Sequence, residues 1–162
     1  MESLNRRASI LVVDDDVGIR KTLSKILEKE GYSVETVENG EQAIEASKKW
    51  LFNVALIDIR LPDMEGTELL DNLTETEPKM VKIIITGYPS LSNAIEAVNK
   101  GANGYILKPF GAGGLLAMIK KWLRKQSENM KYSEEKVVEY IETQVKQIEM
   151  KRWKDTKRRS QH

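Results

Sequence analysis

Five short apolar segments alternate along the chain with longer segments in which apolar residues recur every three or four positions. The short segments predict strands at about residues 10–13, 33–37, 53–58, 81–86 and 104–107. The longer ones predict helices, and Gly31 and Gly101 end the first and the fourth of them. Strands that are joined through helices form a parallel sheet covered on both faces. The pattern therefore predicts an α/β fold, a three-layer sandwich around a five-stranded parallel sheet.

The last 37 residues lie outside this alternation. The fifth helix is predicted at about Leu115–Lys125, and Ser133 has the character of an N-cap for a further helix at about Ser133–Asp155. Its apolar residues recur at helical spacing: Val137, Val138, Ile141, Val145 and Ile148. So narrow a stripe needs a partner surface. We therefore expect a domain over residues 1–125 and a helical extension over 126–162.

Composition narrows the classes of function. The chain has 162 residues, no cysteine and a formal charge of +1, so disulfides, thiolate metal sites and cysteine nucleophiles are excluded. No apolar run approaches the ~20 residues that span a bilayer, and the N-terminus has no signal-peptide pattern, so we expect a cytoplasmic protein. Basic residues cluster only at the end, over Lys151–Arg159.

Polar side chains follow four of the five predicted strands. Asp14 and Asp15 follow the first strand, Asp58 ends the third, Thr86 ends the fourth and Lys108 follows the fifth. Because the carboxyl ends of parallel strands share one edge, where such sheets bind ligands, these side chains should converge. Carboxylates, a hydroxyl and a lysine at one edge predict a site for a hard cation and a phosphoryl group.

Four motifs give the chain a family resemblance. The segments ILVVDDD, LIDIRLPDMEG, IIITGY and YILKPF, in this order and spacing, resemble the receiver domain of two-component response regulators, of the chemotaxis type. The resemblance covers about Ala8–Lys125. It implies a flavodoxin-like sheet of strand order 2-1-3-4-5, to which this chain adds an extra C-terminal helix.

The resemblance also implies a phosphoacceptor and a metal site. Asp58 matches the family's phosphoacceptor. Asp14 and Asp15 match the acidic pair that, with Asp58 and the backbone carbonyl of Arg60, holds Mg²⁺ or Mn²⁺. Asp16, by contrast, is interpreted as the N-cap of the first helix.

Further roles follow from the same resemblance. Lys108 and Thr86 contact the phosphoryl oxygens, and Lys108-Pro109 is a cis peptide in the family. Thr86 and Tyr105 form the switch. Arg60 and Tyr88, each two residues past a site residue, tune the lifetime of the phosphoryl group.

The implied function is that of a phosphoacceptor rather than an enzyme, with no catalysis beyond its own phosphorylation and dephosphorylation. A sensor histidine kinase or a phosphotransfer protein supplies the phosphoryl group, and the face of helix 4, strand 5 and helix 5 changes. We expect output by protein–protein interaction, including a homodimer through helices 4 and 5 or through the C-terminal helix.

Three alternatives remain open at this stage. A pseudo-receiver would bind partners without taking up phosphate. Lys151–Arg159, with Trp153 among them, could contact DNA or an acidic membrane. A haloacid-dehalogenase-like phosphatase would need an aspartate where Arg60 stands, and its D-x-D motif at Asp14 is followed by Gly18 instead of threonine.

Overall fold

The computed structural model describes residues 7–161, and its elements alternate as the sequence predicts. The strands are β1 Ser9–Val13, β2 Ser33–Val37, β3 Val54–Asp58, β4 Val81–Thr86 and β5 Gly104–Leu107. The helices are α1 Val17–Lys29, α2 Gly40–Lys49, α3 Gly66–Asn72, α4 Leu91–Asn99 and α5 Ala112–Ser160. The absence of a signal peptide was inferred from residues 1–7, of which the first six lie outside the described range.

The sheet has the strand order β2-β1-β3-β4-β5, and every neighbouring pair is parallel. Val13 at the end of β1 lies opposite Val37 of β2 and Ile57 of β3, while Asp58 lies opposite Ile85 of β4. The carboxyl ends of these strands therefore lie at nearly the same height along the strand direction. The predicted α/β class and strand order are confirmed.

Two apolar layers cover the sheet because successive strand residues point to opposite faces. On one face Leu11, Val13 and Ile57 pack with buried residues of the middle helices, namely Ala43, Leu69, Leu70 and Ala97. On the other face Ile10, Val12 and Leu56 pack with residues of α1 and α5, namely Leu23, Leu27, Leu115 and Ile119. The central strands are buried on both faces, which is why they read as unbroken apolar runs.

Local side-chain caps fix where the helices begin. The Asp16 carboxylate accepts a hydrogen bond of 3.0 Å from the Ile19 backbone N–H, so its predicted role as the N-cap of α1 is confirmed. Asn39 and Ser90 cap α2 and α4 in the same way. Each cap satisfies one of the backbone donors that a helix start leaves unpaired.

The C-terminal segment is helical, but it does not begin a new helix. α5 extends over Ala112–Ser160, so the predicted break between Lys125 and Ser133 is wrong, and Ser133 lies inside the helix rather than at an N-cap. Residues 126–132 contain no glycine or proline, and serine or asparagine inside a helix costs only a fraction of a kcal/mol, about 0.5. Nothing in this segment is strong enough to end the helix.

The chain forms two compact units, one ending at Gln126 and the next beginning at Ser127. The first unit contains the sheet and the helices that cover it. Gln126, its last residue, is buried and donates hydrogen bonds to the backbone carbonyls of Asn53 and Lys79. Among the described residues, none of the helices has an apolar stretch of the length that crossing a bilayer requires.

The loop after β3 is attached to the start of α2. The Asp63 carboxylate accepts hydrogen bonds of 2.9 Å from the backbone N–H groups of both Gly40 and Glu41. These donors, Gly40 first, hold the pKa of Asp63 below its ordinary value. A carboxylate at a helix start is also favoured by the helix dipole. Asp63 therefore stabilises the loop that leads away from the phosphoacceptor candidate.

We predict that Asp63→Asn lowers the free energy of unfolding at neutral pH by about 0.5–1 kcal/mol, because the charged acceptor at the start of α2 is lost. The folded-state pKa of Asp63 is lowered. Its carboxylate therefore stabilises the folded protein fully at pH values above the unfolded-state pKa, and this stabilisation is lost as the pH falls through the folded-state pKa. The difference from wild type, measured by urea unfolding, should shrink on acidification. The exposed Glu35→Gln is the control, and a pH-independent difference would contradict the assignment.

Candidate functional site

The carboxyl edge of the sheet brings four separated parts of the chain together. Asp14 follows β1, Asp58 ends β3, Thr86 ends β4 and Lys108 follows β5. Since these strands are neighbours in the order β1-β3-β4-β5, their ends form one continuous row. The convergence that the sequence predicted is present in the structure.

Three carboxylates form the centre of the site. Asp14, Asp15 and Asp58 each offer an oxygen, and these oxygens lie within 4.8 Å of one another. Asp14 and Asp58 are buried, whereas Asp15 is exposed. Burial, followed by the neighbouring Asp14 charge, raises the pKa of Asp58, and Lys108 opposes this shift. The site therefore concentrates negative charge on oxygen atoms, which hard divalent cations prefer as ligands.

Lys108 supplies the compensating positive charge. Its Nζ lies 2.7 Å from Oδ2 of Asp14 and 3.4 Å from Oδ2 of Asp58. Partial burial lowers the pKa of the Lys108 ammonium, but the hydrogen bond and charge of Asp14, together with Asp58, outweigh it and raise the pKa overall. The Lys108-Pro109 peptide is cis, as the resemblance implied. Through its contacts with Asp14 and Asp58, the Lys108 side chain joins the end of β5 to the ends of β1 and β3.

Thr86 is fully buried beside this group. Its hydroxyl oxygen accepts a hydrogen bond of 2.9 Å from the Tyr88 backbone N–H, and its carbonyl accepts one of 2.8 Å from the Lys108 backbone N–H. A hydroxyl that accepts still has its own proton to donate. Thr86 is therefore able to donate toward an anionic group at the strand ends.

Arg60 and Tyr88 contact each other at the rim of the site. The Arg60 guanidinium carbon lies 4.1 Å from the centroid of the Tyr88 ring, which is a cation–π geometry. The Arg60 backbone N–H also points to Oδ1 of Asp58 at 3.5 Å, at the limit of a hydrogen bond. The sequence placed both residues near the site, but it gave no sign that they touch.

Two supporting residues were missed by the sequence interpretation. A side chain on Gly66 would collide with the backbone carbonyl oxygen of Asp58, so only glycine allows α3 to begin this close to the acceptor candidate. Arg20 donates a hydrogen bond of 2.8 Å to the Asp14 carbonyl and lies 3.5 Å from Glu38. The glycine at the start of a predicted helix was a usable signal, whereas nothing in the sequence pairs Arg20 with Asp14.

Tyr105 lies on β5 opposite Ile84, with its ring packed against the core on the α2–α4 face. Its hydroxyl oxygen is buried and, within residues 7–161, has no hydrogen-bond partner. Apolar packing therefore positions the ring on this face.

Comparison with known proteins identifies the family. The family model described as response regulator receiver domain matches residues 10–120. The chain is 34% identical over 119 residues to the uncharacterized transcriptional regulatory protein YkoG of Bacillus subtilis, covering 74% of this chain and 52% of that protein. It is 35% identical over 114 residues to the transcriptional regulatory protein ZraR of Escherichia coli, covering 70% of this chain and 26% of that protein. The chain thus spans about half of the first relative and a quarter of the second.

Solved structures agree with the sequence matches. A CheY-like response regulator receiver domain protein from Methanospirillum hungatei superposes with a TM-score of 0.73 at 44% identity, covering 76% of this chain and 98% of that one. The beryllofluoride-activated NtrC4 receiver domain dimer superposes with a TM-score of 0.68 at 36% identity, covering 73% of this chain and 98% of that one. This chain therefore belongs to the response regulator receiver domain family of two-component signalling proteins.

Proposed function

We propose that this chain is a phosphoacceptor of a two-component His-Asp phosphorelay, phosphorylated on Asp58. Receiver domains are signalling domains and not classical enzymes. The observation that carries the proposal is the meeting of Asp58 with Asp14, Lys108 and Thr86 at one sheet edge. We assign residues 1–125 as the receiver domain and 126–162 as its helical extension.

The transfer needs a carboxylate nucleophile and little further chemistry. One oxygen of Asp58 attacks the phosphorus of a phosphohistidine on a sensor kinase or phosphotransfer protein. The new P–O bond forms as the P–N bond breaks, and the electron pair stays on the departing imidazole nitrogen. We propose that Lys108 and the Thr86 hydroxyl bind two of the phosphoryl oxygens and stabilise their charge.

The donor set fits a hard divalent cation. Asp14, Asp15 and Asp58 offer three oxygens within 4.8 Å of one another. We propose that they hold Mg²⁺, or Mn²⁺ in its place, with the Arg60 backbone carbonyl as a further ligand. Such an ion neutralises the charge of the carboxylates and of the incoming phosphoryl group.

Arg60 and Tyr88 are proposed to set the lifetime of the phosphoryl group. Their stack joins the loops that follow β3 and β4, and we propose that it hinders the approach of water to Asp58. Hydrolysis requires a water molecule to reach the phosphorus. A cation–π pair at an exposed site contributes only about 0.5–1 kcal/mol. The contact between Arg60 and Tyr88 therefore breaks often, and it slows hydrolysis only moderately.

The proposed switch links Thr86 to the surface of α4 and β5. We propose that Tyr105, whose ring packs against the core on the α2–α4 face, changes position when Thr86 moves toward the phosphoryl group. Four large apolar side chains are more than half exposed on α4 and at the end of β5: Leu91, Ile95, Val98 and Leu107. Exposed apolar surface of this kind is typical of a protein-binding face. We propose output through a partner or a second copy at this face or at α5.

Two alternatives are retained. A pseudo-receiver would use the same apolar face without phosphorylation, and the compensated carboxylate cluster argues against it. Contact with nucleic acid or an acidic membrane is favoured only by the basic residues of Lys151–Arg159 and the half-exposed Trp153. Binding of duplex DNA that weakens steeply with salt, and that is lost when these basic residues are neutralised, would support it.

Treatment with acetyl phosphate and Mg²⁺ should add the mass of one phosphoryl group to the intact protein. Asp58→Asn should abolish the gain because an amide is not a nucleophile for phosphorus. Asp63→Asn, a matched change in the same loop, should keep it. A gain in the Asp58→Asn variant, or none in the wild type with any donor, would refute the proposal.

Mg²⁺ should raise the melting temperature of the protein through linkage, since it binds the folded state alone. At a concentration 100 times the dissociation constant the stabilisation is about 2.7 kcal/mol. Asp15→Asn removes one ligand and should largely abolish the shift. Asp16→Asn changes the adjacent carboxylate, keeps an N-cap and should leave it intact. Equal shifts in the two variants would exclude this ligand set.

Tyr88→Ala and Arg60→Ala should each accelerate loss of the phosphoryl group roughly two- to fivefold, the loss of one cation–π contact. Because the stack needs both partners, the double variant should be no faster than the faster single variant. Tyr132→Ala is the control, since both tyrosines are 59% exposed. Rates are followed by phosphoprotein gel shift, and multiplicative effects would show that the residues act separately.

A further inference from the structure

The C-terminal part of α5 carries an apolar stripe that its own unit does not cover. From Ser127 to Ser160 this unit is a single helix. Along it Val138, Ile141, Val145 and Ile148 are each about half exposed. Half-exposed β-branched side chains on an isolated helix neither stabilise it nor favour solubility. The stripe therefore has the character of an interface.

The spacing of the stripe is that of a coiled-coil seam. The steps from Val138 to Ile141, Val145 and Ile148 are three, four and three residues, the alternation of a heptad repeat, which keeps the side chains on one line of a supercoiled helix. These residues occupy alternate a and d positions of two heptads. A surface helix that packs on a globular core more often follows a broader pattern with period 3.6.

The charges beside the seam select a parallel orientation. The e positions along one border of the seam are Glu135, Glu142 and Glu149, while the g positions along the other border are Val137, Gln144 and Lys151. In an antiparallel pair the glutamate border of one helix faces the glutamate border of the other, and like charges repel. In a parallel pair each glutamate border faces the other border, which has no negative charge at these three positions, so the repulsion is avoided.

Polar residues limit the length of the seam. The next a and d positions toward the N-terminus are Lys131 and Glu134, and those toward the C-terminus are Arg152 and Asp155. Four apolar layers remain. So short a seam gives weak association, which depends on protein concentration and is easily shifted by a second contact.

We propose that residues 138–148 of α5 form a parallel, in-register coiled coil with a second copy of this chain. The interface deepens the proposed output by self-association, but it does not require phosphorylation of Asp58. Phosphoacceptance is measured by mass and association by sedimentation without any phosphoryl donor. Either can therefore fail without the other.

Sedimentation equilibrium of the full chain over a concentration series tests the association. The wild type should show a monomer–dimer equilibrium. Ile141→Lys places a charge in the seam and should weaken it about tenfold or more. Tyr140→Lys, at a 66% exposed position off the stripe, should leave the association unchanged. Circular dichroism should show the same helix content for both variants and the wild type. A dimer that survives Ile141→Lys overturns the proposal. So does a chain that stays monomeric throughout, even if it binds DNA or anionic vesicles through the stripe.

Cysteine cross-linking tests the orientation, because the natural chain has no cysteine. In a parallel pair Val138→Cys alone and Ile148→Cys alone should each form a disulfide-linked dimer under mild oxidation. The two positions are ten residues, about 15 Å, apart along the helix. An antiparallel pair would instead link Val138→Cys to Ile148→Cys in a mixture and leave each variant alone uncrosslinked. That result would overturn the proposed orientation.

Discussion

The interaction on which this structure depends is the compensation of crowded carboxylates by one ammonium group. Asp14 and Asp58 are buried at the ends of neighbouring strands, and Lys108 reaches both from the end of β5. Without that charge the two carboxylates would repel each other in a poorly solvated position. The same three groups therefore hold the strand ends together and, with two carboxylates and one ammonium, leave them with a net negative charge.

The fold positions these groups through topology rather than local sequence. A parallel sheet with strand order β2-β1-β3-β4-β5 makes neighbours of β1, β3, β4 and β5 at their carboxyl ends. Residues 94 positions apart, Asp14 and Lys108, then form a 2.7 Å contact. Apolar packing on both faces keeps the strands level, and glycine at position 66 lets α3 begin against the Asp58 carbonyl. The precision of the site comes from the rigid layer beneath it.

Much of this could be predicted from the sequence, because buried strands and amphipathic helices have clear periodicities. The five strands lie within a residue or so of their predicted ends, and the polar residues that follow them mark the site. The continuity of α5 was not predictable from Ser133, since an N-cap residue is tolerated inside a helix whose neighbours favour it. The Arg60–Tyr88 stack and the Arg20–Asp14 contact depend on three-dimensional packing between loops and strands, which no local pattern encodes.

Asp58, and no other carboxylate at this edge, is proposed to become the acyl phosphate. Borohydride reduces an acyl phosphate to an alcohol, so reduction after treatment with a phosphoryl donor converts the modified aspartate to homoserine. Peptide mapping by tandem mass spectrometry then locates the change. We predict homoserine at position 58, with Asp14, Asp15 and Asp63 remaining aspartate. Homoserine at any of those three positions, with Asp58 unchanged, would contradict this account.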